Sequence, residues 1–550
     1  MTTPATISVP VLIAGAGPVG LALAGDLGWR GVPSLLVEKR SSEIAQPKMD
    51  MVGVRTMEFC RRWGIADWVE AAGYNRMYPQ DCAWVTSLNG YEFGREPFLP
   101  PALEPLPPQS PQKRERCPQN FFDPVLARFA NRSGLADIRY FTELLDFQET
   151  SGGVIARLRQ TRTGEEVLVE AAYLVGCDGG ASTVRSALGI GMSGEGVLTY
   201  TANAVFRCPG LEDLHHQQPA YRYIFIGPEG TWATLVAING RDQWRFSLIG
   251  DSRRTEFTEE EIRAAIVRAM GREFDFEILS ILPWVRSQLV ADSYRRGRVF
   301  IAGDAAHLTS PTGGFGMNTG VLDAVNLSWK LAAVLQGWGG EILLDSYEAE
   351  QRPVAVRNVN EAGSNLKRML TPRIARPDPL IFSGEGAAAD AARREYGDRY
   401  TEMMRREWFS IGIHLGYIYE GSPVIVPDGT PMPELTVSTY SQTARPGSRA
   451  PHVWLAESRS LLDEYGHEFV LVLNGNGADD DDTAGRIEKA ADERGMPLRV
   501  IAVHNERAAA LYAARYALVR PDGTVAWRGD RASGDLGAVL DTVRGVPAAA

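Results

Sequence analysis

The sequence of 550 residues is short of several things, and each shortage removes a class of function. It has five cysteines, Cys60, Cys82, Cys117, Cys177 and Cys208, all in its first 208 residues. None are spaced as CxxC and the count is odd, so neither a disulfide framework nor a structural zinc site is expected, and reduced thiols in a cytoplasmic protein are. Positive charge is in deficit: the formal net charge is -11. Nucleic acid and anionic membrane surfaces both select a basic face, so neither is expected as the main partner. Long apolar runs are missing too. Val11 to Leu27 is broken by glycines and by Asp26, too short and too interrupted to span a bilayer. The opening MTTPATISVP has no basic residue, and no targeting segment is read there.

What is present is ordinary globular composition, 44% hydrophobic and 23% charged, at a length that predicts about three or four domains. The chain opens on a buried-strand pattern, PVLIAG (10–15), followed by a helix pattern from Pro18 and a second strand, SLLVE (34–38). That is a βαβ unit, the building block of a parallel sheet. Gly15-x-Gly17-x-x-Gly20 lies between the first strand and the helix. The first glycine allows the tight turn, the second the approach of a pyrophosphate, the third close helix packing, and Pro18 opens a helix whose N-terminus favours phosphate. Glu38, with Lys39 next to it, ends the second strand at roughly the 20-residue spacing from which a carboxylate reaches a ribose diol. The arrangement predicts a dinucleotide site; on this motif alone NAD is as admissible as FAD.

Two further segments decide for FAD: CDGGASTVR (177–185) and GDAAHLTSPTGGFGMNTGVLDAVNLSWKL (303–331), each following a strand. With the glycine motif they make the chain resemble, along its whole length, the group A flavoprotein monooxygenases, the para-hydroxybenzoate hydroxylase and phenol hydroxylase superfamily. The resemblance implies that Asp178-Gly179 serves both FAD and the nicotinamide cofactor. It implies that Asp304, after Gly303, bonds the ribityl chain and that Pro311 sits beside the reactive face of the flavin, touching substrate as well. Gly313, Gly314, Gly316, Met317 and Asn318 would wrap the pyrimidine edge. That segment opens a helix, and helix N-termini favour the negative charge of a reduced flavin. Lys48 stands where the family commonly has arginine, a loss of the planar fork that transfers work to Arg55 or leaves the contact open. Gln119 matches a glutamine that touches the ribityl chain, although Asp123-Pro124 alters its surroundings. His307 reads as a structural histidine of the flavin turn and His215-His216 as a polar loop.

The expected fold is α/β: a Rossmann-type FAD-binding domain (1–80, 110–190, 285–370), an inserted antiparallel β-sheet substrate domain (81–109, 191–284), a helical or linker region (371–444) and a C-terminal domain (445–550). Residues 80–120 hold many prolines and read as a long irregular excursion. Between Thr201 and Gly250, Tyr221, Tyr223, Phe225, Trp232, Trp244 and Phe246 are candidates for an aromatic substrate wall, Tyr223 and Trp232 foremost; strand alternation equally places them in a core. PGSRAPHVWL (446–455) and LVRPDGTVAWR (518–528) resemble the thioredoxin-like domain that ends phenol and polyketide hydroxylases; with no cysteine it has no dithiol chemistry. The activity implied is hydroxylation of a small aromatic, phenolic substrate with NADPH or NADH and O2, through a flavin C4a-hydroperoxide, by a protein that, like many of the family, forms a homodimer. Baeyer–Villiger insertion and epoxidation on the same scaffold stay open, as, more distantly, does a non-catalytic flavin-binding protein. No catalytic residue is assigned and no metal site is expected.

Overall fold

The computed structural model describes residues 6–251, 253, 256–474, 480–531 and 535–547. Residues 1–5 of the opening segment and Gly475, at the end of a strand pattern, lie outside the described residues.

The βαβ unit forms as its pattern demands. The strand Thr6–Ala14 pairs in parallel with Ser34–Glu38 on one side and with Glu166–Gly176 on the other. Val299–Ile301 and Ala136–Tyr140 extend the parallel sheet outward. The helix Pro18–Trp29 is buried on nearly every side, which is why its sequence is apolar all round. Gly25 lets Phe129 of the helix Gln119–Arg132 come close: a Cβ there would stand 2.4 Å from the phenylalanine ring. The long helix Phe315–Leu335 covers this face, buried over most of its length. A hairpin, Thr142–Glu149 with Val154–Gln160, hangs on the edge of Glu166–Gly176.

A second sheet of eight strands runs in the order 307–308, 277–291, 192–207, 243–249, 230–237, 222–227, 82–85, 92–96. The proline-rich stretch is therefore not wholly irregular: Cys82–Val85 and Glu92–Glu96 are its outer strands, and Cys82–Val85 pairs in parallel with Arg222–Gly227. Glu277–Ala291 is one continuous strand, so the expected domain boundary at 284/285 falls within it. The helix Glu259–Met270 is started by a capping box, Thr258 with Glu261, and stopped at Gly271. Its Ile262, Ile266 and Met270 pack against the back of the sheet.

The C-terminal domain is a four-stranded sheet, 498–503, 469–474, 516–519, 525–529, with helices beside it. Its Pro521-Asp522-Gly523 turn closes the hairpin of Tyr516–Val519 and Val525–Gly529. Two buried ion clusters fasten it to the rest. Arg449 and Arg55 converge on Glu58, and Arg520 and Lys330 converge on Glu350. Among the described residues, no helix is long and apolar enough to cross a membrane.

Candidate active site

The two large sheets meet over one continuous cavity of about 1860 Å³. Its first end is the glycine turn. Gly15 sits at φ 105°, and a Cβ there would lie 2.4 Å from the carbonyl oxygen of Cys177, so the turn tolerates no side chain. Gly20 presses on the same turn: a Cβ would stand 2.0 Å from the Gly15 oxygen. In front of Gly17 nothing lies within 4 Å, and the space opens onto the helix N-terminus. Glu38 reaches back to the turn, accepting from Ala16 N at 3.2 Å and from Arg40 N at 2.9 Å, and it lines the cavity.

Asp178 starts the short helix Thr183–Ala187: one carboxylate oxygen accepts from Thr183 N (2.7 Å) and Val184 N (3.1 Å). The other, Oδ1, is shut from water without a partner. Asp304, on the 3₁₀ turn Gly303–Ala305, is exposed to the cavity. Pro311, Gly313, Gly314, Gly316 and Met317 follow along the wall. The loop is held by the Thr312 hydroxyl, which donates to Ala362 O at 2.7 Å. An open pyrophosphate turn, a carboxylate at a strand end, an unsatisfied Asp178 oxygen and a helix N-terminus along one trough fit FAD.

The far end of the cavity is the second sheet, and its chemistry is cationic. Arg222, Val236 and Arg245 stand in one row across three strands and line the cavity. Arg245 and Arg116 both pair with Asp50, at 3.1 and 3.2 Å. Burial opposes ionisation of Asp50, but Arg245 and then Arg116 outweigh it and hold the carboxyl below its usual value. Arg222 pairs with Glu407 at 2.8 Å, and the same carboxylate oxygen accepts from Gly313 N at 3.2 Å, tying the sheet to the loop of residues 311–314. The remaining oxygen of Glu407, Oε2, is buried without a partner. Arg286 completes the group.

Residues 8–362 match the family model described as FAD binding domain, and residues 443–547 match the one described as aromatic-ring hydroxylase, C-terminal. The chain belongs to the FAD-dependent aromatic-ring hydroxylases. A putative polyketide hydroxylase of Streptomyces halstedii is 35% identical over 94% of this chain and 93% of its own length. A 4-methyl-5-nitrocatechol 5-monooxygenase of a Burkholderia species is 33% identical over 99% of both. The solved structure of RebC soaked with chromopyrrolic acid, with bound 7-carboxy-K252c, superposes with a TM-score of 0.91 at 36% identity, covering 99% of this chain and 100% of that one.

In this hydroxylase not every residue expected at the site faces the cavity. Gly20 and Gly303 shape the turns from behind. Asn318 is a staple: its Oδ1 accepts from Gly53 N and the Thr56 hydroxyl, both at 2.7 Å, and its amide donates to Met51 O and Gly314 O. Arg55 is committed elsewhere, to Glu58, the Tyr417 hydroxyl and Asp522 O, so it does not replace the missing family arginine. Lys39 and Lys48 line the cavity. Gln119 lines it too, but its amide holds Lys48 N at 3.0 Å and Asp123 at 3.1 Å. Burial pushes the Asp123 carboxyl up to about 7, with Gln119 and Lys48 opposing. His307 is fully buried, with its Nε2 2.8 Å from Asp323.

The aromatic wall is the main correction. Tyr223 and Trp232 are 0% and 4% exposed and pack with Phe225, Trp244 and Phe246 on the back of the sheet, under the helix Glu259–Met270. Of the six candidates only Tyr221 lines the cavity. Of the two places that strand alternation leaves open for these aromatics, the pocket wall and the core, the structure puts five of the six in the core. The signal was available: Arg222 and Arg245 interrupt otherwise apolar strands, and a charge inside a buried strand needs a reason. Glu407 and Trp408, from the helix Ala387–Trp408, also line the site, so the region expected as helical or linker contributes to it. His414 lines the cavity as well; burial pushes its imidazole down to about 4.

Proposed function

We propose that this chain hydroxylates a phenolic aromatic substrate, using FAD, reduced nicotinamide and O2. The observation that carries the reading is the single cavity joining the glycine turn, the Asp304–Met317 wall and the polar face of the second sheet. Its volume of about 1860 Å³ exceeds the ~300–1,000 Å³ of an ordinary small-molecule pocket, leaving room for a dinucleotide and a second ligand end to end. The curated relatives named above, a nitrocatechol monooxygenase and a polyketide hydroxylase, agree with an aromatic substrate.

In this reading the Gly15–Pro18 turn and the helix behind it hold the pyrophosphate, Glu38 the ribose, and Asp304 the ribityl chain. Backbone N–H groups at the start of Phe315–Leu335 favour negative charge at the flavin's pyrimidine edge. FAD, once reduced, supplies the activation of O2 that no side chain here can supply. The protein's part is to orient the ring and keep water out. Glu407 Oε2, lacking a partner, accepts a hydrogen bond from a substrate hydroxyl, which enriches the ring in electrons. Gly313, bonded to the same carboxylate, fixes that acceptor against the flavin loop. The test is NAD(P)H oxidation by FAD-loaded protein across a panel of phenols, with product and hydrogen peroxide both measured. An oxygenated product formed with little peroxide supports the reading; no ligand-stimulated oxidation with any phenol rejects it.

A further inference from the structure

One arm of the cavity takes no part in the proposed contacts. It runs between the loop of residues 97–114 and the segment that follows the helix Ala387–Trp408, with Phe98 and Pro107 on one side and Phe409, Ile411 and His414 on the other. The two sides touch: the Phe98 and Phe409 rings are 5.8 Å apart, and Arg114, stacked over Phe98, donates to Trp408 O at 3.5 Å. The charges in this arm are matched. Arg114 pairs with Glu104 at 3.1 Å, and Lys113 donates to Pro101 O and Glu104 O. The imidazole of His414 is not matched. It stands on the short helix Ile411–Leu415, edge-on to the Phe315 ring at 5.7 Å and hard against Gly53, where a Cβ would lie 2.7 Å from its Nδ1. Gly53 thus makes room for the ring. Among the described residues neither ring nitrogen has a hydrogen-bond partner, and, unlike those of His215, neither is sealed from water. Burial, and next Arg114, keep the ring neutral at neutral pH, so it offers the cavity one N–H donor and one acceptor.

A polar group held without a protein partner among apolar walls selects ligands, because an analogue that lacks the matching atom leaves it unpaired. The apolar sides of the arm suit an aromatic ring, and a neutral imidazole suits an uncharged oxygen, a hydroxyl or a carbonyl. We infer that the substrate carries a second oxygen function, apart from the hydroxyl that Glu407 accepts, and that His414 hydrogen-bonds it. Glu407 and His414 reach the cavity from successive helices, so the two contacts fix the ring system at two points. The inference rests on the hydroxylase reading for the reacting hydroxyl and on the unpartnered imidazole for the second oxygen. His414 decides which aromatic is held, and oxygen transfer makes no demand on it.

The experiment compares 2-naphthol with 1,6-, 2,6- and 2,7-dihydroxynaphthalene on FAD-loaded protein, native and with His414→Phe or His414→Gln. Binding is read from the flavin absorption change, turnover from NAD(P)H oxidation with product analysis, and FAD affinity from flavin fluorescence. At least one diol is expected to bind the native protein about 5- to 10-fold more tightly than 2-naphthol, the worth of one neutral hydrogen bond. In His414→Phe that preference should shrink to within about 2-fold, and His414→Gln, which keeps a donor and an acceptor, should retain part of it. Binding of every diol to the native protein no tighter than that of 2-naphthol, or a preference that survives in His414→Phe, overturns the contact. A loss of FAD affinity of about 10-fold or more in His414→Phe overturns it as well, because the imidazole then meets the cofactor. Turnover of 2-naphthol with no preference for any diol overturns the contact and leaves the hydroxylase reading standing. A His414-dependent preference with no turnover of any ligand supports the contact and removes the hydroxylase reading.

Discussion

Replacing Glu58 by glutamine should loosen the C-terminal domain by a predictable amount. Glu58 lies on the helix Val54–Arg62, with its side chain 3% exposed. Its carboxylate accepts from Arg449 Nε at 2.9 Å and from Arg449 Nη2, from Arg55 Nη1 at 2.7 Å, and from the Ser110 hydroxyl at 2.6 Å. Burial alone would raise its pKa; Arg449, then Arg55, outweigh it and bring the carboxyl from its ordinary 4.5 to about 2. At roughly 1.4 kcal/mol per pH unit, that difference is worth about 3 kcal/mol of folded-state stability. Removing one partner of a buried pair costs about 3–5 kcal/mol by independent measure, so the two routes agree. Because the folded value is the lower one, the contribution is complete above about pH 4.5 and is lost as pH falls towards about 2. Urea unfolding at pH 7 should therefore show Glu58→Gln less stable by about 3 kcal/mol, with faster proteolysis around residue 445, and the gap should close as pH falls through that window. A gap below about 0.5 kcal/mol at pH 7, the size expected of an exposed pair, would refute the reasoning. A gap that stays constant down to pH 2.5 would refute it equally.

Asp304→Ala should weaken FAD binding by roughly 10- to 100-fold, the worth of a hydrogen bond to an ionised group, measured by flavin fluorescence on titrating apoprotein; unchanged affinity removes Asp304 from the cofactor site. Trp232→Leu should cost about 2–4 kcal/mol in urea unfolding while leaving the KM for the aromatic substrate within about 2-fold, since the ring packs behind the sheet; a large KM change would restore it to the substrate wall. Asp123→Asn should stabilise the apoprotein increasingly as pH rises. The folded carboxyl titrates near 7, above its ordinary 3.8, so its cost grows across that window to about 4 kcal/mol. Equal effects of the substitution at pH 5 and pH 8 would contradict this.

The half of the candidate site around the glycine turn follows from sequence because its geometry is backbone geometry. Gly15, Gly17 and Gly20 are required by a turn and a close approach, and Asp178 and Asp304 follow strands at fixed offsets, so sequence order carries the geometry. The substrate half does not, because it depends on which face of a strand is buried by what. Alternation in YRYIFIG and QWRFSLIG identifies two faces but not which one meets the FAD domain; that is decided by the helix Glu259–Met270, which covers the aromatic side. Glu407 comes from a helix that no local signal connects to the cavity. In sequence the two C-terminal segments show a family likeness and a hairpin turn at Pro521-Asp522-Gly523, but no sign of what their arginines meet. Their physical content is that Arg449 and Arg520, both fully buried, deliver charge into Glu58 and Glu350 of the FAD domain. The Pro521-Asp522-Gly523 turn thus does more than close a hairpin, since Asp522 also pairs with Arg520.

The central claim is that the cavity places an aromatic ring against a reduced flavin and spends O2 on it. The most direct measurement follows NAD(P)H and O2 consumption by the FAD-loaded protein with a panel of hydroxylated aromatics, while counting product and hydrogen peroxide. The account predicts ligand-stimulated consumption with one oxygen atom from O2 in the product and little peroxide. Consumption that the ligand does not stimulate, or that ends wholly as hydrogen peroxide with every aromatic tried, would contradict it.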